Sequence, residues 1–78
     1  MSLQNTTSEN RVELSTHMGV EQYADRVAKI YLCKDYYEVD FFKNDKLIET
    51  RVMEADGVYH SESYADSAAE NYVLGYML

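Results

Sequence analysis

Carboxylates are the side chains of this 78-residue sequence best placed to do chemistry. Asp40 and Glu49 are predicted to face each other across a β-hairpin, with Glu38 nearby. Paired acids can share a proton or hold a divalent cation, so they define one hypothesis, a small metal-dependent hydrolase. The sequence favours a plainer interpretation, in which these acids pair with Lys29 and Arg51 on a solvated sheet face.

Cys33 and the two histidines do not suggest a nucleophile site. A thiol nucleophile needs a histidine within hydrogen-bond distance and a third group that orients it. Nothing in the spacing brings His17 or His60 to Cys33, and a single cysteine excludes a multi-cysteine zinc site. The chain also lacks a glycine-rich phosphate-binding loop. We therefore predict no catalytic residue, no metal ligand and no cofactor.

The stretch from Tyr36 to Lys43 is the strongest secondary-structure signal, because it alternates and is rich in aromatic and β-branched residues. It predicts the central strand of an antiparallel sheet, with further strands over residues 27–33 and 46–54. Two-residue turns at Lys34-Asp35 and Asn44-Asp45 connect them, since Asn and Asp tolerate the positive φ of tight hairpin turns. The sequence thus predicts a three-stranded β-meander.

The two turns fix a register, and both hairpins then bury the same face. The rows predicted on the buried face are Leu32–Tyr37–Val52, Ile30–Val39–Thr50 and Ala28–Phe41–Ile48. The opposite face carries two charged rows, Lys29–Asp40–Glu49 and Tyr31–Glu38–Arg51. It also carries two apolar rows, Val27–Phe42–Leu47 and Cys33–Tyr36–Met53. Such an exposed apolar area predicts a contact surface, made of Val27, Tyr31, Tyr36, Phe42, Leu47 and Met53.

Two helices are predicted. Ser63-Tyr64-Ala65-Asp66 fits a capping box at the start of a C-terminal helix. Its apolar side is Ala65, Ala68, Ala69, Tyr72, Val73, Tyr76 and Met77. We expect Val39 and Phe41 to be buried against Ala68, Ala69 and Tyr72. A weaker stripe of Val20, Tyr23, Ala24 and Val27 predicts a short helix within residues 16–26.

The N-terminal region is polar, so residues 1–16 are predicted to form a flexible arm and residues 17–78 a single small domain. The segment Arg11–Ser15 leaves one alternative open, because its alternation would allow a short edge strand. The predicted fold class is α+β: a three-stranded antiparallel β-meander with a C-terminal α-helix on one face, plus a short N-terminal helix or arm.

The net charge of −7 limits the partners. Direct nucleic-acid binding and binding to anionic membranes both need Lys and Arg, so both are disfavoured. No apolar run approaches the roughly 20 residues of a membrane span, and the N-terminus lacks signal-peptide features. We therefore expect a cytoplasmic protein that binds neither membranes nor nucleic acid.

The hairpin Asp35–Arg51, together with Ser63-Tyr64-Ala65 and Ala68-Ala69-Glu70-Asn71-Tyr72, resembles small uncharacterised accessory proteins of T4-like marine cyanophages. The likeness extends over residues 27–78. It implies a phage-encoded accessory protein in the host cytoplasm, and it implies no catalytic residues.

These observations favour a non-enzymatic protein-interaction module that forms a homo-oligomer, most simply a dimer, with a host protein as a further partner. One alternative is an acidic inhibitor or DNA mimic directed at a host nucleic-acid-binding protein. Another is the hydrolase that uses Asp40 and Glu49. Mimicry needs a surface of one charge sign, self-association needs an apolar patch, and an enzyme needs a concave pocket.

Overall fold

The computed structural model describes residues 11–76, which form a four-stranded antiparallel sheet with one α-helix packed on a single face. The strands follow each other in the order β1-β2-β3-β4, with the bounds Val12–Met18, Arg26–Leu32, Tyr37–Lys43 and Lys46–Val52. A small separate hairpin, β5 (Glu54–Ala55) and β6 (Val58–Tyr59), leads into the helix α1 (Glu62–Val73). The α+β class and the meander are confirmed.

The sheet has one strand more than the predicted three. The additional strand is β1, which confirms the edge strand left open over Arg11–Ser15 and extends it to Met18. The short helix predicted within residues 16–26 is wrong, because only the 3-10 turn Glu21–Tyr23 is helical. Met18 instead pairs with Val27, and the Gly19 amide donates to the Arg26 carbonyl, which closes a β-hairpin. Of the predicted flexible arm, residues 1–10 lie outside the described residues and residues 12–16 belong to β1.

The β2–β3 hairpin has the predicted register. Ala28 faces Phe41, Ile30 faces Val39, and every other pair of this hairpin between Val27 and Leu32 is also as expected. The Cys33 amide donates to the Tyr36 carbonyl at 2.7 Å, so the turn is made by the two residues between them.

The β3–β4 hairpin begins as predicted and then departs from the prediction. Asn44 and Asp45 have φ of 54° and 65°, and Phe42 pairs with Leu47. A β-bulge follows, so that Phe41 faces Glu49 instead of Ile48. Because side chains alternate between the faces of a strand, this one-residue slip exchanges the two faces of β4.

The exchange corrects several predicted positions. Glu49 and Arg51 lie on the face that α1 covers, whereas Thr50 and Val52 lie on the other face. Ile48 is 50% exposed and contributes nothing to the core. β4 ends at Val52, two residues before the predicted end of the strand.

The hydrophobic core lies between β2, β3 and α1. Val39 and Phe41 are fully buried, as predicted, and the Phe41 and Tyr72 rings meet edge to face at a centroid distance of 4.9 Å. Ala65 and Ala69 let the helix approach the sheet closely. The whole core cluster is Ala28, Ile30, Val39, Phe41, Met53, Ala65, Ala69, Tyr72 and Val73.

The N-cap of α1 is Ser61, two residues before the predicted cap. Its side-chain oxygen accepts a hydrogen bond from the Tyr64 amide at 3.4 Å, which satisfies one of the amides of the first turn. Ser63 lies inside the first turn, so the predicted capping box does not form.

The C-terminus of α1 forms a Schellman motif, and the Arg26 guanidinium binds one of its last carbonyl groups. The Tyr76 amide donates to the Asn71 carbonyl at 2.8 Å, and the Gly75 amide donates to the Tyr72 carbonyl at 3.1 Å. Arg26 Nη1 donates to the same Tyr72 carbonyl at 2.9 Å. A guanidinium at this end also opposes the negative pole of the helix dipole.

Candidate protein-interaction surface

The sheet face turned away from α1, here called the outer face, carries one uncovered apolar row. The register places Met18, Val27, Phe42 and Leu47 side by side across all four strands. Met18 is 69% exposed and Leu47 is 55% exposed, while the two central members are half-buried. A shallow concavity of about 380 Å³ opens beside Val27 and Phe42, with Lys29 and Asp45 at its rim.

The Arg11 side chain covers part of the other half of the outer face. Its guanidinium lies 3.8 Å from the centre of the Tyr31 ring, and it pairs with Asp40 at 2.9 Å and with Glu38 at 3.4 Å. The Thr50 hydroxyl donates to Asp40 at 2.7 Å, and Asp40 is only 5% exposed. Glu38 and Asp40 are therefore paired with Arg11 and largely covered, whereas the apolar row has exposed members on both edge strands.

Three of the six predicted contact residues, Val27, Phe42 and Leu47, belong to the apolar row. Tyr31 lies beneath Arg11, and Tyr36 is half-buried with its ring stacked 5.0 Å from the ring of Tyr59. The structure also adds Met18, which the sequence had assigned to a helix.

Met53, the sixth predicted contact residue, is misplaced. It is 1% exposed and belongs to the core, so the predicted row Cys33–Tyr36–Met53 does not exist as an outer surface. The Met53 amide donates to the Tyr37 carbonyl, and the His60 amide donates to the Met53 carbonyl, both at 2.9 Å. These bonds turn the chain inward between β4 and β5.

The carboxylate pair proposed for a hydrolase is not brought together. Asp40 lies on the outer face opposite Thr50, and Glu49 lies on the α1 side opposite Phe41. Within residues 11–76, no group of three or more His, Cys, Asp or Glu side chains has an arrangement that could hold a metal ion. The bulge at Ile48 is the physical reason, because it moves Glu49 to the other face.

Glu49 is paired with Arg51 on its own strand, at 2.8 Å from Nε to Oε2 and 3.0 Å from Nη2 to Oε1. The hydrogen bonds from Arg51 lower the pKa of Glu49 below its ordinary value of 4.5. A lowered pKa in the folded state contributes stability above the ordinary value, and this contribution is lost as the pH falls through the folded pKa. The pair is exposed to solvent, so the contribution is small.

We expect an NMR titration to place the Glu49 pKa below that of an unpaired glutamate. Arg51→Ala should raise it toward the ordinary value, because the two hydrogen bonds are lost. An unchanged Glu49 titration in Arg51→Ala would show that the pair does not persist in solution.

Cys33 and the histidines occupy three separate places. Cys33 is 6% exposed, and burial together with the nearby Glu38 raises the pKa of its thiol, which disfavours the reactive thiolate. The His60 ring stacks on Tyr64 at 3.9 Å. The His17 ring nitrogens lie 3.4 Å from Asp66 and 3.3 Å from Glu70 of α1, so His17 joins β1 to the helix.

A second concavity, of about 260 Å³, lies between the end of β4 and α1. It is here called the β4–α1 groove. Its strand side is Arg51, Val52, Met53 and Glu54, and its helix side is Tyr64, Ser67, Ala68 and Asn71. It forms because α1 packs mainly over β1, β2 and β3, so that a space stays open between the helix and the end of β4. No sequence pattern predicts this groove, since the helix residues that line it are a mixture of aromatic, polar and small residues.

Comparisons with protein-family models, with curated proteins and with solved structures give no match. The resemblance to cyanophage proteins therefore stays a prediction. In the described part of the chain, no helix has the length and apolar character needed to cross a membrane.

Proposed function

We propose that this protein is a non-enzymatic interaction module that pairs with a second copy of itself through the outer face. The apolar row carries the proposal, because it crosses all four strands and is exposed at both edge strands, while the Lys29 ammonium lies over the Phe42 ring, 5.6 Å from its centre. The helix α1 packs on one face of the sheet, and a second copy would cover the other. Covering Met18 and Leu47 would remove from water two side chains that are more than half exposed.

The row is compatible with a symmetric dimer. A two-fold axis that runs parallel to the strands between β2 and β3 exchanges β1 with β4 and β2 with β3. It sets Met18 of one copy against Leu47 of the other, and Val27 against Phe42. Apolar side chains then meet apolar side chains along the whole row, as in two sheets packed face to face about 10 Å apart. The same axis sets the Arg11 halves of the two copies opposite each other, at one end of the contact.

Light scattering of the purified chain tests the dimer. We expect the wild-type protein at micromolar concentration to have twice the mass of one chain. Phe42→Asp should return it to the mass of one chain, because the contact would then bury an unpaired charge. Leu47→Asp tests the same contact at a more exposed position and is less able to disturb the fold.

Val58→Asp is the matched control, since Val58 is 61% exposed and lies in the β5–β6 hairpin away from the outer face. This variant should keep the wild-type mass. A wild-type protein with the mass of one chain would contradict the proposal. Equal losses of mass in Val58→Asp and Leu47→Asp would contradict the assignment to the outer face.

A second candidate, an acidic inhibitor of a basic host protein, is favoured by the distribution of charge. All seven Lys and Arg residues lie within residues 11–51, whereas residues 52–76 carry five acids and neither Lys nor Arg. A nucleic-acid mimic would need one sign over its whole surface, and the outer face carries both signs and an apolar row. The charge distribution therefore suits a local acidic surface for a basic protein better than mimicry by the entire molecule.

A further inference from the structure

We infer that the β4–α1 groove binds an extended segment of a partner protein and takes a lysine or arginine side chain of that segment. The groove lies on the α1 side of the sheet, so this inference does not depend on pairing through the outer face. The partner is a second protein chain of basic character. Its recognition combines a side-chain site with an uncovered strand edge.

The groove has the chemistry of a site for a long cationic side chain. Its floor is apolar, with Met53 buried and Ala68 half-buried, and suits the methylene stem of a lysine or arginine. The Tyr64 ring lines the helix side and is 47% exposed; His60 stacks on one of its faces, so a cation would lie against the other. Glu54 supplies a carboxylate at the strand side, one oxygen of which accepts the Gly57 amide at 3.0 Å.

The charges in and around the groove favour a cationic ligand. Arg51 also lines the groove, but both oxygens of Glu49 hold its guanidinium, which also lies 5.1 Å from the Phe41 ring. Its charge is thereby compensated inside the chain. From residue 52 to residue 76 the sequence adds only negative charge. An incoming basic segment consequently meets an attractive field, and an acidic segment meets repulsion.

The backbone explains why the segment should be extended. Among residues 11–76, β4 has a strand neighbour on one side only, so its outer edge offers unpaired amides and carbonyls beside the groove. A partner strand can add to this edge and direct alternate side chains into the groove. The bulge at Ile48 limits regular pairing to the part of β4 from Glu49 onward, which is the part next to the groove. Ser67 and Asn71 line the helix wall and supply further hydrogen-bonding groups.

An NMR titration tests the inference with a defined probe, the peptide acetyl-Thr-Val-Lys-Val-Thr-amide. We expect its chemical-shift changes to concentrate on the amides of β4 and on those of Ser67 and Asn71. The same peptide with glutamate in place of lysine should bind at least about tenfold more weakly, because a charge-assisted contact becomes a repulsion. Changes spread evenly over the surface, or equal binding of both peptides, would overturn the inference.

Two pairs of variants separate the groove from general electrostatic attraction. Glu54→Gln should weaken binding of the lysine peptide about tenfold, whereas Asp56→Asn should leave it unchanged. Both substitutions remove one negative charge from the same hairpin, but only Glu54 lines the groove. Asn also accepts the positive φ of 55° at position 56.

The second pair lies on α1. Ser67→Arg should block the groove, and Ser63→Arg, which adds the same side chain at an exposed position outside it, should not. Equal effects within either pair would show that the peptide responds to net charge and not to the groove, which would contradict the inference. The dimer mass of these variants gives an independent measurement. Loss of peptide binding with unchanged mass, or the reverse, shows which of the two surfaces fails.

Discussion

Phe41→Ala is expected to lower the free energy of unfolding by about 3–5 kcal/mol. Phe41 is fully buried at the centre of the core and contacts the ring of Tyr72 edge to face. The substitution removes a large apolar side chain and leaves a cavity between β3 and α1 that Ala65 and Ala69 are too small to fill. A domain of this size has a total stability of about 4–12 kcal/mol. The substitution should therefore remove a large part of the total stability, and we expect the midpoint of urea denaturation to shift clearly to lower urea concentration.

Phe42→Ala is the matched control, because Phe42 is the next residue of β3 and points to the outer face. It is half-buried, so less apolar area is lost and no closed cavity forms. We expect a clearly smaller loss, measured at protein concentrations low enough to keep the chain monomeric. Equal losses in the two variants would mean that α1 does not cover the face on which Phe41 lies.

The contrast between the two central hairpins shows what the sequence can determine. In the β2–β3 hairpin, alternation and the two-residue turn were enough to give every pair from Val27 to Leu32. In the β3–β4 hairpin, the prediction of the turn was also correct. A bulge at Ile48 then moved every later residue of β4 to the face opposite to the predicted one. Lys46–Glu54 alternates poorly, so the pattern contained no evidence against either register. The ion pair of Glu49 and Arg51 on one face is consistent with the bulged form.

The N-terminal strand was predicted only as an alternative, over Arg11–Ser15, and its extension to Met18 was missed for a related reason. The apolar spacing of residues 20, 23, 24 and 27 fits a helix, but a stripe of four residues is too short to outweigh pairing with a neighbouring strand. β1 gains a ladder with β2, interrupted by one irregularity between Glu13 and Ser15, and Arg11 gains contacts with Tyr31 and two acids. Those contacts join residues that are far apart in the sequence, so a local pattern cannot predict them. They also decide which part of the outer face remains uncovered.

The candidate surfaces were predictable to different extents. The row of Val27, Phe42 and Leu47 followed from the two turns alone, because all three residues precede the bulge in the ladder. The error at Met53 arose after the bulge, where the predicted register no longer holds. The β4–α1 groove depends on where α1 sits across the sheet. That position is fixed by the contacts of α1 with β1, β2 and β3, which a sequence pattern does not contain.

The connection between β1 and β2 packs closely against the end of α1. Gly19 lies in this connection, and we expect it to be the glycine whose substitution lowers stability most. A Cβ at Gly19 would overlap the Tyr23 carbonyl oxygen and lie 3.1 Å from the Val73 carbonyl oxygen. Both obstacles are backbone atoms, so no side-chain rotation can relieve them. The ring of Tyr23 is itself held close to Arg26, 5.0 Å from its guanidinium, and against Gly75.

We therefore expect Gly19→Ala to lower the free energy of unfolding by about 3 kcal/mol, at the upper end of the usual cost of overpacking. Gly57→Ala is the control, since a Cβ there meets nothing within 4 Å and its φ of +80° adds only a backbone cost of about 1 kcal/mol. Urea denaturation of the two variants measures both values. If Gly19→Ala loses no more stability than Gly57→Ala, the connection between β1 and β2 does not pack on the C-terminus of α1 in solution. If it loses about 3 kcal/mol, hydrogen exchange should show the loosened amides concentrated in β1, the strand that this connection joins to the rest of the sheet.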